Sequence, residues 1–203
     1  MPHPYILGLT GGIASGKSTV SHWLSQHNIE IIDADLISRE IVLPDTLTWK
    51  KIHENFKSKF NLSVLNPDKS LNRSLIKKII FEHPEERLWL ESLTHPIIRE
   101  KINHQIKKSK NPIICLVIPL LKSREDYPMI QTLITIDIEP PVQLDRLIKR
   151  DPISPEQAKK IMASQPSREA RLAMADIIIP NHDGLEQLEN YFKIHVMPNL
   201  KNI

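Results

Sequence analysis

A glycine-rich stretch, Gly11-Gly12-Ile13-Ala14-Ser15-Gly16-Lys17-Ser18-Thr19, fits the spacing G-x-x-x-x-G-K-[ST] in full. Residues of these types at this spacing hold phosphate. Glycines let successive backbone N–H groups turn inward as a nest for anionic oxygens. A helix that begins at the end of the loop adds unpaired donors and the positive end of its dipole. Lys17 then reaches the β- and γ-phosphates and Ser18 ligates Mg²⁺, with Thr19 placed for a further phosphate contact. The pattern also occurs by chance, so its flanks decide. An apolar run, Tyr5–Thr10 (YILGLT), leads in as a strand, and Lys17–His27 leads out as a helix. Gly11 to Thr19 is therefore read as a nucleotide phosphate site.

Two carboxylates follow in Ile31-Ile-Asp-Ala-Asp35 (IIDAD), where a second apolar run ends. In an open parallel sheet, ligands bind beyond the carboxyl ends of the strands. A carboxylate there can accept the proton of an attacking hydroxyl or hold Mg²⁺ through water. It can also cap the following helix, ADLISREIV. Spacing alone leaves open how Asp33 and Asp35 divide these tasks.

Two missing features narrow the class. Motor ATPases and switch GTPases carry an acid at the end of an apolar strand, whereas the run Ile113–Leu121 (IICLVIPLL) has none, and the chain holds no Asn-Lys-x-Asp guanine-reading motif. Both point to a small-molecule kinase with its acid beside the acceptor. The segment 143–171 supplies a basic cover, with seven basic residues (Arg146, Lys149, Arg150, Lys159, Lys160, Arg168 and Arg171) against four acids. That excess of three equals the formal net charge of the chain. Arginine forks stabilise the charge on a transferring phosphoryl group, and a closing lid excludes water. Arg146 and Arg150, one helical turn apart, are the candidates; Lys159 and Lys160 read as a solvated face.

The elements that must position these groups alternate along the chain. After the first two strands (Tyr5–Thr10 and Ile29–Ile32) come Pro112–Ile118, Leu133–Ile138 and a short Ile177–Ile179. Continuous apolar runs suit strands covered on both faces, and helices between them call for a doubly wound parallel sheet of five strands. The gap between the second and third strands exceeds one crossover helix, so it forms a helical insertion. The expected division is a nucleotide-binding core of residues 1–35, 111–142 and 172–203, a helical acceptor-binding region of 36–110, and a lid of 143–171. Prolines, Pro96 among them, are expected at element boundaries.

The totals are those of a globular protein: 203 residues, 40% hydrophobic, 25% charged, and a net charge of +3 too diffuse for a nucleic-acid binder. The single Cys115, inside an apolar run, reads as a buried thiol in a reducing compartment. No stretch reaches the ~18 apolar residues of a membrane span, and the first residues do not form an export signal. A cytoplasmic protein without membrane or nucleic-acid partners, monomeric or a small homo-oligomer, is expected.

With these features placed, the chain resembles the dephospho-CoA kinases, which catalyse the last step of coenzyme A synthesis. The resemblance runs in order through LTGGIASGKST, IIDADLISREIV, LNRSLI around Arg73, LTHPII with His95 and Pro96, VIPLL, QLDRLIKR, SQPSREARLAMAD and Asn181. It implies a P-loop kinase-like fold with a CoA-binding helical domain and a lid, and ATP-dependent phosphorylation of the ribose 3′-hydroxyl of dephospho-CoA. By position, Asp35 is the base, Lys17 and Ser18 hold the ATP phosphates and Mg²⁺, and Arg146 and Arg150 belong to the lid. Arg73 and His95 lie toward the acceptor, as does Asp33; His95 reads equally as a buried structural residue.

The chain departs from the family pattern at four places, one of them Leu71-Asn72-Arg73 where the family usually reads LDR. Ala14 replaces a loop glycine, which suits alanine if its φ is negative. Lys122 and Ser123 follow Leu121 where an acid is usual, and Asp68-Lys69-Ser70 stands where an Asp-Gly turn is expected. Competing readings are a kinase for another small hydroxyl acceptor and a nucleotide-binding regulator without catalysis.

Overall fold

The computed structural model describes residues 3–201, so the outer limits expected for the core, residues 1–2 and 202–203, lie outside the described residues. In chain order the elements are β1 (Tyr5–Gly11), α1 (Lys17–Gln26) and β2 (Glu30–Asp33), then α2 (Ala34–Glu40), α3 (Leu47–Phe60), α4 (Arg73–Glu82) and α5 (Pro84–Lys108). There follow β3 (Ile113–Val117), β4 (Thr132–Asp137), α6 (Pro140–Arg150), α7 (Pro155–Ala163), α8 (Arg168–Met174), β5 (Ile177–Pro180), α9 (Leu185–Tyr191) and α10 (Met197–Lys201). The chain divides into two compact units, one of residues up to Asp33 and from Ser109 onward, the other of Ala34–Lys108.

The first unit is built on a five-stranded sheet in the order β2-β3-β1-β4-β5, and every neighbouring pair is parallel. Its strands are largely apolar because both faces are covered, with Thr10, Thr135 and Asp137 as buried polar exceptions. Side chains alternate between the faces. Leu7 and Leu9 pack on one side with Val20 and Leu24 of α1, Leu188 of α9 and Phe192. On the other side Thr135 Oγ1 donates to the Arg171 carbonyl at 3.5 Å, so α8 crosses there. Cys115 is fully buried in this core, and burial, reinforced by Asp33, pushes its thiol up to about 12.

Local signals fix the helix starts. Ser154 and Gln157 form a capping box on α7, Ser167 accepts from the Ala170 N–H at the start of α8, and α6 opens on prolines. Segment 143–171 is thus helical over most of its length and belongs to the first unit.

The second unit is a set of four helices with its own core of Ile52, Phe56, Val64, Leu71, Ile76 and Ile79, against which Trp49 and Trp89 pack. Thr46 caps α3 and Asn72 caps α4. Pro96 lies inside α5 and not at a boundary, contrary to the sequence expectation. The helix continues through the missing donor because both its halves are packed, at Trp89, Leu90 and Leu93 on one side of the proline and at buried Ile102 on the other. Among the described residues, no helix is long and apolar enough to cross a membrane.

Candidate active site

The phosphate loop leaves the carboxyl end of β1 and enters α1 through Gly16, whose φ of 100° only glycine adopts without strain. Lys17 Nζ reaches back over the loop and donates to the Gly11 and Gly12 carbonyls, 2.8 Å each. Ser18 is exposed in the first turn of α1. Ala14 has a φ of 57°, so the negative value expected for an alanine there is not what the loop takes. The turn into Ser15 imposes the left-handed conformation, and the side chain adopts it at a cost.

Three amide side chains brace the loop from outside it. Gln143 Nε2 donates to the Ile13 carbonyl at 2.8 Å, Gln165 Oε1 accepts from the Ile13 N–H at 2.9 Å, and Asn181 Nδ2 donates to the Ser15 carbonyl at 2.8 Å. Gly12 is the residue these contacts permit: a Cβ there would lie 2.5 Å from Gln143 Nε2 and 3.1 Å from Arg171 Nη2.

The carboxylates and arginines are distributed as follows. Asp33 is half-buried at the carboxyl end of β2, level with Val117 of β3, so one strand separates it from β1. Arg146 is half-buried within α6. Arg150, the last residue of that helix, makes a two-pronged pair with Asp151 at 2.9 and 2.8 Å, and this hydrogen bonding raises its pKa. Arg168 makes a second such pair with Asp137, which ends β4, and that bonding holds the Asp137 carboxyl below its ordinary range. Arg171 is buried and donates to the Pro166 carbonyl, and burial lowers its pKa.

In the second unit, Asp35 is exposed in the first turn of α2, where a carboxylate is favoured by the helix dipole. Arg73 opens α4 and lines two cavities of this unit. One, of about 250 Å³, is walled by Ile52, Leu71, Ile76 and Ile80 with Lys77 beside Arg73. The other, of about 420 Å³, is bounded by Arg39, Asn66 and Asn72. His95 lies on α5 next to Pro96 and is exposed, which removes the reading of it as a buried structural residue.

The family profile described as dephospho-CoA kinase matches residues 5–187. The chain belongs to the dephospho-CoA kinase family. The dephospho-CoA kinase of Legionella pneumophila (strain Paris) is 42% identical over 185 residues, 91% of this chain and 90% of that one. The enzyme of Escherichia coli (strain K12) is 38% identical over 178 residues, 88% and 84% of the two chains. Among solved structures, the dephospho-CoA kinase of Campylobacter jejuni has a TM-score of 0.69 at 29% identity, covering 98% of both chains. A protein of Thermus thermophilus has a TM-score of 0.80 at 26% identity, covering 98% of this chain and 99% of its own.

The motif reading gives no role of their own to Gln143, Gln165 and Asn181 around the loop or to Asp137, and it takes Arg168 as part of the basic cover, whereas the structure pairs Arg168 with Asp137. A signal for some of them exists in the sequence. Asp137 and Asn181 stand at or just after the carboxyl ends of apolar strands, the edge of a parallel sheet where ligands bind.

Proposed function

We propose that this protein transfers the γ-phosphoryl group of ATP to the ribose 3′-hydroxyl of dephospho-CoA, giving CoA and ADP. The observation that carries the reading is the glycine-hinged phosphate loop with Lys17 drawn across it, in a chain whose relatives are dephospho-CoA kinases. In the proposed step, the 3′-oxygen bonds to the γ-phosphorus and passes its proton to Asp35. The bond from that phosphorus to the β–γ bridging oxygen breaks, and its electron pair leaves with ADP. The loop Gly11 to Thr19 cradles the phosphates, with the Ala14 and Gly16 N–H groups among its donors, and Lys17 neutralises charge on the β- and γ-oxygens.

Arg146 and Arg150 stabilise the transferring group from the lid, 143–171, and Arg150 exchanges its bond to Asp151 for one to phosphate. Arg73, His95 and Asp33 serve the acceptor side, Arg73 beside the apolar cavity of the helical region, 36–110. The Ser18 hydroxyl, exposed in the first turn of α1, would hold Mg²⁺, a hard cation that takes oxygen ligands. The ion supplies neutralising charge at the phosphates. The remaining parts of the reading are a core of residues 1–35, 111–142 and 172–203, a cytoplasmic monomer or small homo-oligomer, and no nucleic-acid or membrane partner.

The test is ADP release with dephospho-CoA, nucleosides and shikimate as acceptors. Turnover with dephospho-CoA is expected; turnover only with another acceptor assigns a different kinase, and ATP binding without turnover assigns a regulator. Asp35→Asn should keep ATP affinity while kcat falls about 10²–10⁴-fold. An unchanged rate moves the base elsewhere.

A further inference from the structure

We infer that Gln143, Gln165 and Asn181 are positioning residues that set the direction of the N–H groups in the phosphate loop by gripping the opposite ends of the same peptide units. The inference rests on the proposed use of that loop for ATP. In a trans peptide unit the carbonyl and the N–H point in opposite directions. Gln143 Nε2 holds the Ile13 carbonyl at 2.8 Å, so the Ala14 N–H of that unit is turned to the other side. Asn181 Nδ2 does the same two units further on, holding the Ser15 carbonyl at 2.8 Å and turning the Gly16 N–H away from itself. Gln165 acts with the reverse polarity: its Oε1 takes the Ile13 N–H at 2.9 Å, which presents the Gly12 carbonyl of that unit to Lys17 Nζ at 2.8 Å.

The backbone partner dictates which end of each amide is used. A carbonyl can only accept, so Gln143 and Asn181 must offer nitrogen; an N–H can only donate, so Gln165 must offer oxygen. Gln143 and Asn181 are buried, at 4% and 5% exposure, and pressed against the loop, with Gln143 over Gly12 and Asn181 over Gly16. Gln143 and Gln165 both come from segment 143–171, so that segment is tied at two points to Ile13.

Opposite polarity gives opposite outcomes for one substitution. Glutamate keeps an acceptor and loses the donor. Gln165→Glu should therefore bind ATP within about threefold of the wild-type affinity, while Gln165→Met, which has no acceptor, binds about tenfold more weakly. Gln143→Glu and Gln143→Met should both lose about tenfold or more. Each glutamate is read against the methionine variant at its own position, because a charge is more costly at buried Gln143 than at half-buried Gln165.

The measurement is ATP affinity by titration calorimetry, with KM for ATP and for the acceptor measured in parallel and folding checked by circular dichroism. A positioning role raises KM for ATP and leaves the acceptor KM in place, whereas a merely structural role lowers the melting temperature without that split. Equal losses for Gln143→Glu and Gln165→Glu, or Gln165→Glu no tighter than Gln165→Met, overturn the inference. If the Gln143 variants do not fold, the half-buried Gln165 pair carries the test alone. Wild-type protein that binds ATP but does not turn over dephospho-CoA sinks the proposed function and leaves the affinity comparison decisive for the inference.

Discussion

Arg168 grips Asp137 with its Nε and Nη2 atoms, each 2.7 Å from a carboxylate oxygen. The carboxylate ends β4 with 9% of its side chain exposed, and the arginine opens α8. The pair fastens the returning end of segment 143–171 to the sheet, so an arginine of the basic segment serves as an anchor.

That anchor predicts a pH dependence. Arg168 hydrogen bonding is the main cause holding the Asp137 carboxyl below its ordinary value, and burial opposes it. Because the folded value lies below the unfolded one, near 3.9, the stabilisation is complete above about pH 5 and is lost as pH falls through the folded value. Arg168 is one-third exposed, so screening limits the effect. Asp137→Asn should cost about 1–2 kcal/mol at pH 7, and less at pH 3. Urea unfolding at the two pH values checks it; a difference that does not shrink in acid rules out the linkage.

Ala14 and Lys69 share a conformation that the family pattern assigns to glycine. Their φ values are 57° and 65°, in the left-handed region. Lys69 is held there by Asp68, whose carboxylate accepts from the Ser70 N–H and hydroxyl at 2.9 and 2.6 Å. A non-glycine residue in that region costs about 1 kcal/mol or more, partly offset because glycine loosens the unfolded chain. Ala14→Gly and Lys69→Gly should each raise the melting temperature by about 1–3 °C, whereas Ala14→Val should lower it. Differential scanning calorimetry would show this, and a fall for both glycine variants would mean that the positive φ carries no strain.

The sheet was legible because its strands are short, largely apolar runs: YILGLT, PIICLVI and LITIDI correspond to β1, β3 and β4 within one residue at either end. The loop was legible because its chemistry is local in sequence. What surrounds the loop was not, since Gln143, Gln165 and Asn181 reach it from sequence separations of 130, 152 and 166 residues. Polar side chains have no periodicity that reports such partners. Pro96 misled for a related reason, because a proline reads as a boundary until packing on both sides carries the helix through it.

Glu86, in the helical unit, is a buried carboxylate with two partners. Lys59 Nζ lies 2.5 Å from one oxygen and Asn55 Nδ2 lies 2.7 Å from the other. Burial works against ionisation, yet these hydrogen bonds hold its pKa below the ordinary value. Lys59→Met removes the compensating charge and leaves the burial. The variant should lose about 1–3 kcal/mol at pH 7, and the loss should diminish near pH 4, where the stranded carboxyl takes up a proton. Equal losses at both pH values would show that the ion pair does not control this group.

Gly16 and Asn181 should be energetically coupled. A Cβ on Gly16 would lie 2.6 Å from Asn181 Nδ2, and Gly16 has a φ of 100°, so Gly16→Ala meets both a collision and backbone strain. Asn181→Ala alone leaves the Ser15 carbonyl unpaired and should cost about 1–3 kcal/mol. Once Asn181 has been cut back, the collision is gone and only the φ strain of the Gly16→Ala change remains to be added. The double variant should therefore be less damaged than the sum of the singles, by about 1 kcal/mol, beyond the scatter of roughly 0.3–0.5 kcal/mol between independent sites. Urea unfolding of the four proteins in the cycle measures this coupling. Strict additivity would mean that the two side chains move apart freely, and that Asn181 does not hold the loop in place.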